Sequence, residues 1–87
     1  MTLVPTSEPP QTEGMAVRWV MSNGKKNVTC WVRAAALERL AGNPDLQKAD
    51  YFRVFLDHRQ LLEGLASQIF QRGRLDGNDV IIRKENI

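Results

Sequence analysis

The stretch from Asp50 to Gly73 constrains the fold of this chain more than any other, because it reads as a long helix with one apolar face. At about 100° per residue with Phe52 at zero, Tyr51, Phe55, Leu62, Leu65, Ala66 and Ile69 fall in one sector, with His58 and Arg59 on either side of its midline. Arg53, Asp57, Gln60, Gly64, Ser67, Gln68 and Gln71 fall opposite. Such a helix needs a second layer to cover its apolar side, and the rest of the chain must supply it. Carried backwards, the same wheel puts Leu46 on the polar side and Lys48 in the apolar stripe, so the helix is expected to begin at Asp50, which serves as N-cap. Size agrees: a straight helix from Pro44 to Arg72 would run roughly 43 Å, against a radius of gyration of about 11 Å for a compact domain of this length. Asn43-Pro44-Asp45 then starts a separate short turn. At the other end Gly73 can take the left-handed C′ conformation, with Arg72 and Arg74 where the helix dipole favours cations.

The covering layer is legible upstream. Met15 to Ser22 alternates, with Met15, Val17, Trp19 and Met21 on one side, and Asn23-Gly24 follows as a signal for a type I′ turn. Asn27 to Arg33 is the returning strand. A two-residue loop would set Trp19 opposite Val28, Val17 opposite Cys30 and Met15 opposite Val32, all on one apolar face, so turn chemistry and hydrophobic pattern choose the same register. The other face collects Ala16, Arg18, Val20, Thr29, Trp31 and Arg33. Ala34 to Ala41 is helical by propensity with Leu37 and Leu40 inward, and Gly42-Asn43-Pro44 ends it. Asp76-Gly77-Asn78 turns the chain into a short strand over Val80, Ile81 and Ile82. The expected fold is α+β, a three-stranded antiparallel sheet in the order β-β-α-α-β with spatial order 2-1-3 and both helices on one face.

With 87 residues the chain makes one domain, assigned to residues 15–87. Residues 1–14 carry Pro5, Pro9, Pro10, three threonines and two glutamates and are expected to form a disordered tail without the marks of a signal peptide. The single Cys30 excludes an intramolecular disulfide and cannot alone build a zinc site, which suits a reducing compartment. No run approaches the 18 or so apolar residues needed to span a bilayer. The expectation is therefore a cytoplasmic protein with no membrane, metal or cofactor requirement. All 12 Lys and Arg follow Gly14, whereas Glu8 and Glu13 precede it, so residues 15–87 carry 12 − 8 = +4. That balance permits polyanion binding without requiring it.

Val28-Thr29-Cys30-Trp31-Val32, then Ala36-Leu37, then Phe55, Arg59, Leu62, Ala66 and Ile69 form a pattern that is similar to the small bacterial proteins grouped as domain of unknown function 1488. The pattern is a cysteine on a strand after a hairpin glycine, an Ala-Leu pair, and a Phe-x3-Arg-x2-aliphatic-x3-Ala helix, within a region from about Met15 to the C-terminus. The resemblance implies a compact α+β fold and no established activity. Where that family leads one to expect a serine N-cap and an acidic residue ahead of the Ala-Leu pair, this chain has Arg33 and Ala35, which leaves the first helix poorly capped.

Three positions invite a chemical reading. Cys30 and His58 are the only thiol and imidazole, and such a pair can generate a thiolate nucleophile. Cys30 falls on the core face, however, where free cysteine serves as a small apolar filler, and no third group is evident to orient the histidine. Arg59 lies near the middle of the apolar stripe and must be paired, to Glu38 or Glu63, or contact an anion. Trp31 is the most informative, since the hairpin register points it away from the helices beside Arg18, Thr29 and Arg33. A bulky apolar group on an open sheet face marks a contact surface. The leading expectation is a non-enzymatic binding or regulatory module that uses this face for a protein partner or self-association. Cover of Trp31 by the N-terminal tail or by local packing is the plain competitor, and weak stacking on single-stranded nucleic acid, with charge from Arg18, Arg33, Lys25, Lys26, Arg83 and Lys84, is the runner-up.

Overall fold

The computed structural model describes residues 2–87. Its elements run β1 (Val4–Pro5), β2 (Gln11–Glu13), β3 (Ala16–Ser22), β4 (Asn27–Arg33), α1 (Ala34–Ala41), α2 (Tyr51–Asp57), α3 (Arg59–Gln71) and β5 (Val80–Ile82), with 3-10 turns at Lys48–Asp50 and Lys84–Asn86. The β3–β4 hairpin forms as expected and buries the expected face, with Val17, Trp19, Met21, Val28, Cys30 and Val32 all in the core. Its register differs by two residues: Trp19 stands opposite Cys30, Val17 opposite Val32 and Met21 opposite Val28. The cause is the Asn23 side chain, whose Oδ1 accepts the Lys25 and Lys26 N–H groups at 2.8 and 2.9 Å and so closes a longer loop. A type I′ turn would need positive φ at Asn23 as well, and only Gly24 takes it, at 94°. A shift of two restores every side chain to the same face, which is why the core composition survived it. Met15, expected in the core, falls outside the strand and is 62% exposed.

The sheet has five strands, not three, and the proposed 2-1-3 antiparallel order does not hold. β1 and β2 both pair antiparallel with β3, and β5 pairs parallel with β4. Two physical facts account for this. The outer edge of β3, where the last strand was expected, is filled by the N-terminal segment. The three helices between β4 and β5 then form the long crossover that a parallel neighbour requires.

The segment expected as a disordered tail is thus part of the sheet, apart from Met1, which lies outside the described residues. Leu3 is buried, and its N–H donates to Ser67 Oγ at 3.1 Å on α3. Pro5 sits in an edge strand, where its missing N–H costs no ladder bond. Between the two short strands the register on β3 slips by three, from Val4↔Ser22 to Gln11↔Arg18. The excess is taken up by residues 6–10, where the Thr6 hydroxyl donates to the Val20 carbonyl at 2.9 Å.

The helices cover the apolar face. α1 buries Ala34, Ala36 and Leu37 and ends at Gly42, which takes φ 66° while Asn43 N–H reaches back to the Glu38 carbonyl at 3.0 Å. Arg33 precedes α1 without making a side-chain cap bond. The long helix does start after Asp50, although the Asp50 carboxylate caps nothing and lies 3.5 Å from Arg53 instead. It then bends at His58, which adopts φ −119° and ψ 21°. His58 presents both its backbone N–H and its ring Nδ1 to the Val54 carbonyl, at 3.2 and 3.0 Å, so the side chain competes with the helical ladder there. Tyr51, Phe55, Leu62 and Ala66 are buried as the wheel requires, whereas Phe52 is 38% exposed and Val54 takes its place inside. Ser67, assigned to the polar face, is buried beneath the N-terminal segment. At the centre, the Trp19 and Phe55 rings meet at 4.9 Å with a 52° tilt, and Trp19 Nε1 is buried without an acceptor. An orphaned donor of this kind costs about 1–3 kcal/mol, which the burial of so large a ring offsets. Gly73 takes the left-handed conformation at φ 69°, and Arg74 N–H returns to the Ile69 carbonyl at 3.2 Å to close α3.

Candidate functional site

The face of the sheet turned away from the helices is built from alternate residues of three adjacent strands. Arg18 on β3, Trp31 on β4 and Ile81 on β5 stand in one cross-strand row, with Gln11 of β2 beyond Arg18. Trp31 is half-buried, and its Nε1–H donates to Asp79 Oδ2 at 3.0 Å. Asp79 is delivered by a tight turn in which Asp76 and Asp79 exchange backbone N–H···O bonds of 2.8 and 3.1 Å around Gly77 at φ 65°. The Asp76 side chain meanwhile accepts from Arg83 at 3.0 Å. One turn thus fixes the indole and neutralises a neighbouring cation. Met15, Ala16, Trp31, Arg33, Asp79 and Ile81 surround a cleft of about 400 Å³, within the range typical of ligand pockets.

The four residues assigned to this face from sequence do not all converge. Trp31 and Arg33 line the cleft together, and Arg33 is exposed with no ion-pair partner among the described residues. Arg18 is turned to the N-terminal side, where its guanidinium is paired with Glu13 and reaches Gln11 Oε1 at 3.4 Å. Thr29 is half-buried opposite Val20 and outside the cleft. Asp79 and Ile81 were not assigned to this face from sequence, and Met15 was assigned to the opposite, core face. The role of Asp79 and Ile81 depends on β5 lying beside β4, and only the turn into the last strand hinted at it.

Arg59 is half-exposed, ion-paired with Glu63 one turn on at 2.9 Å, and its guanidinium sits 5.7 Å from the Phe55 ring centre. Cys30 is fully buried, and its thiol is pushed up to about 12 by burial first, then by the carboxylates of Asp79 and Glu63. It donates weakly to the Val28 carbonyl at 3.7 Å, while His58 is occupied with Val54, and no hydrogen bond joins the two. Among the described residues no group of three or more His, Cys, Asp or Glu side chains is placed to hold a metal ion. Nor is any helix long and apolar enough to cross a membrane.

No curated protein matches this chain. Its structure is similar to the crystal structure of a protein of unknown function from the DUF1488 family of Shewanella loihica PV-4, with a TM-score of 0.81 and 14% sequence identity over 93% of this chain and 91% of that one. At that identity the likeness is one of fold. The family model described as "Protein of unknown function (DUF1488)" matches residues 5–82, a span that takes in β2 as well as the hairpin, the helices and β5. The chain therefore belongs to the DUF1488 family.

Proposed function

We propose that this chain is a non-enzymatic binding module that engages a protein partner through the open face of its sheet, with Trp31 as the anchor. The observation that carries this reading is the Trp31–Asp79 hydrogen bond at the wall of the cleft. It holds a large aromatic ring in one orientation before anything binds, so the side-chain entropy otherwise lost on binding is already spent. Met15 and Ile81 extend the apolar surface on either side, and Arg33 supplies a cation with no acid of its own. Tryptophan and arginine are the residues most often found to dominate binding energy at protein interfaces.

Two features weigh on the alternatives. A thiol enzyme needs a thiolate near neutrality, and the raised Cys30 pKa opposes that. Stacking on nucleic acid has less support, since Glu13 neutralises Arg18 and two carboxylates, Asp76 and Asp79, line the cleft beside the ring.

The test is photo-crosslinking in cells with a benzophenone amino acid in place of Ile81. A discrete protein adduct is expected that disappears when Trp31→Ala is added, because loss of an anchor residue weakens binding by about tenfold or more. No adduct, or one indifferent to Trp31→Ala, refutes the reading.

A further inference from the structure

Among the described residues, three of the five large apolar side chains exposed on the surface lie together around the bend between α2 and α3: Phe52 at 38%, Leu56 at 46% and Leu61 at 49%. The core uses only Tyr51, Val54 and Phe55 of α2. Phe52 and Leu56 are one helical turn apart and share a face, and Leu56 and Leu61 border one depression of about 500 Å³ at His58. This apolar row lies on the helical layer, across the sheet from Trp31, and is independent of the cleft. Arg53 and Asp57 repeat the same four-residue spacing on the adjoining row. Asp57 has no ion-pair partner among the described residues, and Arg53 pairs with Asp50 at 3.5 Å while 69% of its side chain stays exposed and free to reach a second acid.

We infer that this bend is the interface of a twofold dimer, its occupant a second copy of the chain. A twofold axis perpendicular to an antiparallel α2–α2 pair brings Phe52 of each copy against Leu56 of the other. The same operation keeps the charged rows on one flank and sets Arg53 facing Asp57, twice. A patch whose counter-charges repeat at its own apolar spacing is complementary to itself, which is the requirement for an isologous contact. Leu61 continues the apolar surface past the bend. Three apolar side chains from each copy make a modest contact beside the roughly 800 Å² per partner of a standard stable interface, so the dimer is expected to form and dissociate with concentration.

Sedimentation equilibrium of the full chain from micromolar to millimolar concentration tests this. The wild type is expected to move from monomer to dimer mass, and Leu56→Glu to remain a monomer. Either Arg53→Asp or Asp57→Arg should raise the dissociation constant by about tenfold, since each reversal turns two attractive contacts repulsive, and the double reversal should restore it. Trp31→Ala should leave the mass unchanged, so failure here is separate from failure of the partner-binding reading. Far-UV circular dichroism checks that each variant is folded, which is expected because Arg53, Leu56 and Asp57 are exposed and only Trp31 is half-buried. A wild type that stays monomeric throughout, a dimer untouched by Leu56→Glu, or charge reversals whose combination gives no rescue would each overturn the proposal.

Discussion

Cys30 sits between Trp19 on β3 and Val80 on β5, with no solvent exposure, and this placement has a consequence for pH dependence. In the unfolded chain the thiol has its ordinary pKa of 9.0, whereas the fold raises it to about 12. As pH rises the unfolded state therefore loses this proton first. The stabilisation is complete below pH 9 and is lost as pH climbs towards 12, the unfolding equilibrium shifting by up to roughly tenfold per pH unit in that window. Cys30→Ala removes this dependence at some cost in baseline packing. Urea midpoints measured across that window should thus fall less steeply in Cys30→Ala than in the wild type, and equal slopes would place the titration on another group. The position was legible in sequence as a core filler because the alternation of the strand alone settles which face it occupies. Asp79 was not legible, since its bond to Trp31 spans 48 residues and depends on which strand lies beside β4.

The hairpin, α1 and the bent helix are elements with local causes, and the apolar periodicity and the two glycine-terminated helix ends locate them. The N-terminal strands have no such local cause. Val4–Pro5 and Gln11–Glu13 are too short and too polar to declare themselves, and they exist because β3 offers an open edge and Ser67 offers an acceptor to Leu3. The order of strands was misjudged for the same reason, since the vacancy assigned to β5 is already taken. Deleting residues 2–13 is accordingly expected to destabilise the domain, exposing the β3 edge, Val20 and Ser67. An unprotected edge is also a template for pairing with other chains. The truncated protein should melt at a lower temperature and associate on size-exclusion chromatography, and a monomer with an unchanged melting temperature would restore the view of this segment as a dispensable tail.

Among the described residues four ion pairs form, each between residues at most seven apart in sequence. The sequence has 12 cations and 10 acids, and Arg18–Glu13, Arg53–Asp50, Arg59–Glu63 and Arg83–Asp76 each join one of each kind. Of the cations named for a nucleic-acid surface, Lys25 and Lys26 lie in the hairpin loop, whereas Arg33 lies at the far end of β4. A seven-residue strand separates them by roughly 23 Å at about 3.3 Å per residue, more than two Debye lengths of about 10 Å at 0.1 M salt. Single strands are held by a continuous basic groove with aromatic platforms along it. Here one platform stands between two separated cation groups, with carboxylates beside it. Titration with a short single-stranded RNA at low salt should therefore leave the amide resonances of Arg18, Trp31 and Arg33 in place. Shifts centred on Trp31 that fade as salt is raised would carry the mark of counterion release and would reassign the open face from a protein partner to a nucleic acid.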